Sequence, residues 1–172
     1  MNKKTIQVLG VLLVPALLML FTLPLPGQNR GFVPPPPKPT TGKGSLVVFA
    51  DLARFAEITD KDNCIMKNRF VRGEGVGWRI TAVDGDSGNP ETSSQVVVHL
   101  TYMGKTIDIP AEPRMLGGDK PYYPNIWTAK WVVPKDAPTG ILRYTVTAKD
   151  KYGRTGTWTP FPYAPSLLTI VQ

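Results

Sequence analysis

Four long segments of this sequence alternate apolar and polar residues with a period of two. They are Gly75–Val83, Gln95–Met103, Ile126–Val133 and Ile141–Asp150. Successive side chains leave opposite faces of a β-strand, so this alternation predicts strands with one buried face and one exposed face. Such half-buried strands are typical of antiparallel sheets, and the pattern therefore constrains the chain to an all-β fold.

The apolar faces of these strands predict the core. Its expected members are Val76, Trp78, Ile80, Ala82, Val96, Val98, Leu100, Tyr102, Trp127, Ala129, Trp131, Val133, Leu142, Tyr144, Val146 and Ala148. Lys105–Ile109, after a Met103-Gly104 turn, and Leu167–Val171 add shorter strands. Six or seven strands joined by turns predict a two-sheet antiparallel sandwich. Asp51–Thr59 has helical spacing and predicts a short helix or an irregular start to the sheet, while Leu46–Phe49 is a candidate first edge strand.

The amino-terminal segment reads as an export signal. Lys3 and Lys4 precede Ile6–Leu23, an uncharged stretch of 18 residues with helical potential. Residues 1–27 are thus predicted to be either a cleaved signal peptide or an uncleaved membrane anchor. The length of the apolar stretch suits an anchor, and the stretch is not followed by the small-residue motif at which signal peptides are cleaved. Both alternatives place the rest of the chain outside the cytoplasm, periplasmic or at the cell surface, tethered to the membrane if uncleaved and secreted otherwise.

Residues 28–45 are predicted to be a linker and residues 46–172 a single domain. Pro34–Pro37 and Pro39 favour an extended polyproline helix, which acts as a semi-rigid spacer. Residues 40–45 contain two glycines and predict a flexible joint. A proline-recognising partner is the alternative interpretation of the proline run.

Charge and cysteine content exclude some classes of function. The formal charge is +7, but the basic residues are dispersed, so we do not expect nucleic-acid binding. Cys64 is the single cysteine, and the domain therefore has no internal disulfide. Three roles stay open for this thiol: a small buried apolar side chain, a disulfide to another chain, or a ligand.

Residues that carry catalytic or metal chemistry are sparse. His99, the only histidine, lies on the outward face of its strand, and no G-x-S-x-G motif occurs. A blue-copper site needs two histidines, which excludes one built from this chain alone. A β-turn, rather than a calcium loop, is predicted for the segment with Asp84, Asp86 and Asn89. Asp150 is predicted to cap a turn. Glu74 and Glu91 stand singly in the sequence, so no carboxylate pair suggests acid–base catalysis. We therefore expect no cofactor and no enzymatic activity.

The stretch from Trp127 to Pro160 resembles the later strands of bacterial immunoglobulin-like and fibronectin type III-like modules. The similar pieces are Pro134-x-x-Ala137-Pro138-Thr139-Gly140, Tyr144-x-Val146-x-Ala148-x-Asp150 and the Gly153-Arg154 turn. A looser likeness extends over residues 68–172. The resemblance implies an immunoglobulin-like β-sandwich with roles in adhesion, spacing or subunit contact. The chain lacks the cysteine pair of antibody domains, and its tryptophans lie on other strands.

Aromatic residues outside the strands predict a contact surface. We expect a partner to dock on the Ala111–Asn125 loop, with Tyr122 and Tyr123 as anchors. Arg114 and Lys120 would lie at the rim of this contact. The neighbouring Trp127 is expected to pack in the core and hold the loop in place. The predicted function is an extracytoplasmic, non-enzymatic binding and assembly module, an accessory subunit whose partners are envelope or membrane-complex proteins. A carbohydrate-binding module that stacks sugars on loop aromatics (Trp158, Phe161 and Tyr163 among them) is the first alternative, and a metal- or redox-associated subunit is the second.

Overall fold

A computed structural model describes residues 39–57, 59–114 and 126–172 of the chain. Apart from a 3-10 turn at Ala164–Ser166, the regular structure in these ranges consists of strands. The strands are β1 (Leu46–Phe55), β2 (Arg69–Val71), β3 (Gly75–Asp84), β4 (Gln95–Tyr102), β5 (Lys105–Arg114), β6 (Ile126–Val132), β7 (Gly140–Leu142), β8 (Tyr144–Lys149), β9 (Thr155–Trp158) and β10 (Leu168–Val171). The predicted all-β class is confirmed.

A seven-stranded sheet has the order β1-β3-β6-β5-β4-β8-β9 and consists of two halves that share one bent strand. Residues 105–111 of β5 pair with β4, and residues 112–114 pair with β6. Pro110 and Pro113 flank this change of partner. Because proline has no N–H to give to a ladder, it suits a position where pairing switches. The bend folds the two halves face to face around one core.

The two edge strands of this sheet, β1 and β9, approach each other and nearly close it into a barrel. The backbone of Gly156 in β9 lies against the carbonyl of Leu46 in β1. Further along, Phe49 and Trp158 meet edge to face with ring centroids 6.1 Å apart. The predicted sandwich is thus confirmed as a two-sheet all-β fold, and its larger sheet approaches a barrel.

The core contains the side chains that the alternation predicts. Val76, Trp78 and Ile80 of β3 are fully buried, as are Val98 and Val146 from the opposite half. Trp131 and Tyr102 are half-buried and pack edge to face against each other, with centroids 5.5 Å apart. The period of two therefore identified the inner face of each strand correctly.

A three-stranded sheet with the order β2-β10-β7 packs against this core. Strand β10 runs parallel to β2 and antiparallel to β7. Phe70, Leu168 and Ile170 of this sheet are buried in the same cluster as the seven-stranded sheet. The prediction of one continuous strand over Ile141–Asp150 is wrong, because the chain passes at Arg143 from β7 in the three-stranded sheet to β8 in the seven-stranded sheet.

Two further expectations need correction. Residues 51–55 do not form a helix but continue β1, where Leu52 and Ala53 are buried and pair with Trp78 and Gly77. A nine-residue helix is marginal alone, so the ladder with β3 determines the conformation. The strand predicted at Lys105–Ile109 extends to Arg114, since its last three residues pair with β6.

Residues ahead of β1 contact the domain. The Gly42 N–H donates to Asp84 at 3.2 Å, and the Arg154 guanidinium donates to the Lys43 carbonyl at 2.6 Å. Residues 41–43 are therefore fastened to the fold rather than forming a free joint. The predicted amino-terminal helix and Pro34–Pro37 lie outside the described residues. Among the residues that are described, no helix is long and apolar enough to cross a membrane.

Candidate functional site

Arg114 at the end of β5 is fixed against a neighbouring segment. Its Nη1 lies 3.7 Å from the Cys64 sulfur, and both residues are half-buried. The next two residues after the cysteine, Ile65 and Met66, are 49% and 60% exposed. We name Cys64, Ile65, Met66 and Arg114 the docking edge. The other predicted contact residues, Lys120, Tyr122 and Tyr123, lie outside the described residues.

The predicted loop Ala111–Asn125 begins later than expected, because residues 111–114 belong to β5, but the base of the remaining 115–125 connection is rooted in the core as predicted. Pro113 pairs with Trp127 and Arg114 with Ile126. Trp127 is 3% exposed, so its ring belongs to the core cluster. Ile126 and Trp127, which follow the connection, are therefore held in place by their pairing with β5 and by the packing of the Trp127 ring.

A second candidate site is a groove of about 330 Å³ between β1 and the segment that follows β9. We name it the aromatic groove; its lining includes Phe49, Leu52, Met66, Tyr144, Trp158 and Phe161. Phe49 and Phe161 are exposed by 57% and 61%. The expectation that Trp158 lies in a loop is wrong: it ends β9, where its ring lies 5.9 Å from that of Tyr144.

Two polar groups are buried together beside the aromatic groove, whose lining includes Tyr144 but not Trp78. The Trp78 indole N–H lies close enough to donate to the Tyr144 hydroxyl oxygen, and neither group has another hydrogen-bond partner in the part of the chain that the structure describes. Burial raises the pKa of Tyr144, the Trp78 N–H offsets part of this rise, and the negative charge of Asp51 adds to it. Asp51 and Tyr144 both line the groove.

The polar rim of the aromatic groove is held by ion pairs. Asp51 accepts two hydrogen bonds from Arg79, at 2.7 and 2.9 Å. Lys67 donates to Glu74 at 2.7 Å. The Asn68 amide donates to the carbonyl of Leu167 at 3.1 Å and so ties this rim to the segment after β9. The groove is therefore largely preformed.

A larger groove of about 750 Å³ lies on the other side of residues 159–167. Its polar lining consists of His99, Arg143 and four threonines, Thr101, Thr106, Thr145 and Thr159. His99 Nδ1 hydrogen bonds with Asp108 at 2.6 Å, and Nε2 with the Thr147 hydroxyl at 2.8 Å. Both ring nitrogens are thereby occupied.

The order Asp108, His99, Thr147 is that of an acid–histidine–hydroxyl triad. A triad also needs donors preorganised for a developing oxyanion. Here the three residues come from neighbouring antiparallel strands β5, β4 and β8, whose backbone groups serve the ladders. The arrangement is a cross-strand polar row that stabilises the outer face of the sheet.

Arg154 contacts three carboxylates, one of them four residues before it and two of them in a distant part of the sequence. Its guanidinium contacts Asp84 at 2.9 Å, Asp150 at 2.6 Å and Glu91 at 3.4 Å. The backbone N–H of Ser87, with Arg154, holds the pKa of Asp84 well below its usual range. Burial opposes ionisation of Asp150 and Glu91, but hydrogen bonds from Arg154 and Ser93, respectively, keep their pKa values below normal. We name Asp84, Glu91, Asp150 and Arg154 the Arg154 cluster.

This cluster is structural. It joins the β3–β4 connection, the β8–β9 turn and residues ahead of β1, and Asp150 caps its turn by accepting from the Tyr152 N–H as predicted. Glu74 and Glu91 stand singly in the sequence, but the fold gives each of them cationic partners: Glu91 contacts Arg154, and Glu74 contacts Arg54 and Lys67. Over residues 39–57, 59–114 and 126–172, no group of three or more His, Cys, Asp or Glu is arranged to hold a metal ion.

The sequence did not reveal either groove. Phe49, Tyr144 and Trp158 are far apart along the chain, and two of them were expected in an edge strand and in the core. The near closure of β1 on β9 brings them together. The local signal was the spacing of aromatic residues around Trp158 and Phe161, which indicated recognition without giving its location.

Comparisons with known proteins give no family. No family model matches this sequence, and no curated protein matches it. Among solved structures, the chain is similar to a DUF4466 family protein from Parabacteroides merdae, with 11% identity and a TM-score of 0.35. The alignment covers 74% of this chain and 46% of that protein, so the chain spans less than half of its length. A likeness at this level carries no argument about function.

Proposed function

We propose that this protein is an extracytoplasmic, non-enzymatic binding and assembly module, an accessory subunit of a larger envelope or membrane complex. Its domain would be a variant of the immunoglobulin-like and fibronectin type III-like sandwiches. The observation that carries the proposal is the docking edge, where Arg114 joins the base of the 115–125 connection to the exposed apolar pair Ile65 and Met66.

The composition of the docking edge suits a protein partner. Methionine and arginine are enriched at protein interfaces, and adjacent exposed apolar side chains beside a fixed cation are typical of a contact surface. Tyr122, Tyr123 and Lys120 would extend this surface from the connection between β5 and β6. Tyrosines flanked by Pro121 and Pro124 would lose little conformational entropy on binding.

The extracytoplasmic location rests on the sequence. Lys3 and Lys4 before the uncharged stretch Ile6–Leu23 support export, and the proline run supports a spacer between that segment and the domain. A protease-protection experiment on intact cells or spheroplasts tests it: the domain should be digested only when the protease reaches the outer side of the cytoplasmic membrane.

The binding proposal is tested with the full-length chain in its native membranes. The tagged protein is extracted with a mild detergent, and the proteins that travel with it are identified by mass spectrometry. Ile65→Ser combined with Met66→Ser should remove the partner, and Tyr122→Ala combined with Tyr123→Ala should weaken it by about 2 kcal/mol or more. Met103→Ser, at a residue 72% exposed in the β4–β5 turn, is the matched control and should retain it.

Two results would reject parts of the proposal. If no protein co-purifies specifically with the unaltered chain, the assembly function is wrong. If a partner co-purifies equally with all variants that fold, the function stands and the docking edge is wrong. Thermal unfolding of each variant establishes that it folds.

A carbohydrate-binding role is the second candidate, because the aromatic groove offers the rings of Phe49, Trp158 and Phe161. That observation is independent of the docking edge apart from Met66, which lines both.

A further inference from the structure

The larger groove presents hydrogen-bond donors that the fold does not use. Its volume of about 750 Å³ is within the usual range for small-molecule sites, roughly 300–1,000 Å³. Arg143 and four threonines line it, and none of these five side chains has a hydrogen-bond or ion-pair partner in the part of the chain that the structure describes. His99, in the same lining, is instead fully engaged by Asp108 and Thr147. The groove therefore offers one guanidinium and four hydroxyls to a ligand.

The strand register places three of these donors side by side. Leu100 pairs with Tyr144, so Thr101 lies opposite Arg143, and the Thr101 N–H donates to the Arg143 carbonyl at 2.8 Å. Thr101 also pairs with Thr106 across β4 and β5. Directly opposed residues of antiparallel strands have Cβ atoms about 4.5–5.5 Å apart. The ladder thus fixes the backbone of Arg143 in a row with two hydroxyls, while its guanidinium stays available.

The charge of the lining selects an anion. Arg143 is the one lysine or arginine among the described residues that line the groove, and no aspartate or glutamate is among them. A cation without a counter-ion in a concave site raises the local concentration of anions. Most of the other described arginines already contact a protein acceptor; these are Arg54, Arg72, Arg79, Arg114 and Arg154.

We propose that the larger groove binds the phosphate group of a phosphate ester. A guanidinium presents paired N–H donors that match two oxygens of a phosphate. The tetrahedral group directs its other oxygens elsewhere, and Thr101 and Thr106 would donate to them from the neighbouring strands. A carboxylate has only two oxygens, so it would leave more of these hydroxyl donors without an acceptor.

The apolar part of the lining suits the organic portion of such an ester. Pro160, Pro162 and Leu167 line the groove beside the donors and would contact carbon atoms of the ligand. None of the residues of the docking edge lines this groove, so the inference goes beyond the proposed assembly function and does not depend on it. The same chemistry occurs in free phosphate monoesters and in the phosphodiester headgroups of lipids.

The test uses the full-length chain in detergent and isothermal titration calorimetry with soluble probes. Glycerol 3-phosphate represents a free monoester, and glycerophosphoglycerol represents a lipid headgroup without its acyl chains. We expect saturable binding of a phosphate probe: tighter binding of the monoester would assign the site to free phosphate esters, and tighter binding of the diester would assign it to headgroups. Glycerol should not bind, and glycerate, which carries a carboxylate in place of the phosphate, should bind more weakly.

Three substitutions test the donors. Arg143→Gln should weaken binding of the preferred phosphate probe about tenfold or more, because a charge-assisted pair of hydrogen bonds is lost. Arg143→Lys keeps the charge without the paired donors and should have an intermediate affinity. Thr101→Val removes one hydroxyl at nearly constant volume and should weaken binding about fivefold.

The matched control is Arg69→Gln. Arg69 is exposed, lines neither groove and, like Arg143, has no ion pair among the described residues, so this variant changes the net charge equally. Its affinity should equal that of the unaltered chain, and thermal unfolding establishes that each variant folds. The inference is overturned if neither phosphate probe binds, if glycerol or glycerate binds as tightly, or if Arg143→Gln and Arg69→Gln have equal affinities.

Discussion

The rings of Trp78 and Tyr144 meet edge to face across the core, with centroids 5.6 Å apart. Trp78 comes from β3 and Tyr144 from β8, so the contact joins the two halves of the seven-stranded sheet. Pairs of this geometry contribute about 0.5–1.5 kcal/mol beyond the burial of their area. Tyr144 also lines the aromatic groove, so this contact links the packing of the core to the wall of the groove.

Removal of the Tyr144 hydroxyl alone should not weaken the fold. In Tyr144→Phe, the free energy of unfolding should be unchanged or higher by up to about 1 kcal/mol, because the buried hydroxyl carries a desolvation penalty and donates to no acceptor among the described residues. Tyr144→Ala should lose about 3–5 kcal/mol, since the ring fills the core. Urea denaturation of the two variants measures both values. A loss above about 1 kcal/mol in Tyr144→Phe would mean that the hydroxyl donates a stabilising hydrogen bond in the folded protein.

The Arg154 cluster should make stability fall in acid. Asp84 and Asp150 have an ordinary pKa of 3.8 and Glu91 of 4.5, and the pKa of each is lowered in the folded protein. A lowered pKa means that the stabilising contribution is complete above the ordinary value and is lost as the pH falls through the folded value. Thermal unfolding temperatures should therefore be level from pH 7 to about pH 5 and decrease below about pH 4.

Removal of the Arg154 charge should reverse the pH dependence of the melting temperature. In Arg154→Met the three carboxylates repel one another, so their pKa values in the folded protein should rise and protonation should favour the fold. We expect a melting temperature lower by roughly 5 °C or more at pH 7, with partial recovery near pH 4–5. Arg154→Lys keeps a positive charge, so its melting temperature should fall by less. Equal losses in both variants at every pH would contradict a charge-based role.

The strand faces could be predicted from the sequence because a period of two depends only on local backbone geometry. Val76, Trp78 and Ile80 were assigned inward and are fully buried, and Trp127 roots its connection as expected. The turn at Asp150 was also predictable, since a carboxylate two residues before a free N–H caps it locally.

Features that depend on partners far along the chain could not be predicted. The change of sheet at Arg143 leaves the alternation of Ile141–Asp150 uninterrupted, so the pattern shows one strand where the structure has two. Glu91 appeared isolated because Arg154, which it contacts, lies 63 positions away. The aromatic groove similarly follows from the approach of β9 to β1, a tertiary event without a local signature.

The approach of β9 to β1 depends on a glycine. A Cβ on Gly156 would overlap the carbonyl of Leu46 and lie 2.6 Å from Val48 Cγ2. Gly156→Ala should therefore push the two edges apart and lower the free energy of unfolding by about 1–3 kcal/mol. Thr157→Ala, one residue further on β9, is exposed and should stay within about 0.5 kcal/mol of the unaltered protein. Equal stability of the two variants would show that the edges separate without cost.

Glu74 fastens the segment that carries the docking edge. Its carboxylate accepts hydrogen bonds from Lys67 at 2.7 Å and from the Val71 N–H at 3.0 Å, and it forms an ion pair with Arg54 at 3.2 Å; its side chain is 12% exposed. Glu74→Gln should lower the free energy of unfolding by about 1–3 kcal/mol, because Lys67 and Arg54 lose a charged acceptor in a partly buried setting. Denaturation in urea measures the loss, with Glu57→Gln as the exposed control. The same substitution should reduce co-purification of the partner, since Ile65 and Met66 lie just before Lys67; retained co-purification with lowered stability would limit Glu74 to a role in folding.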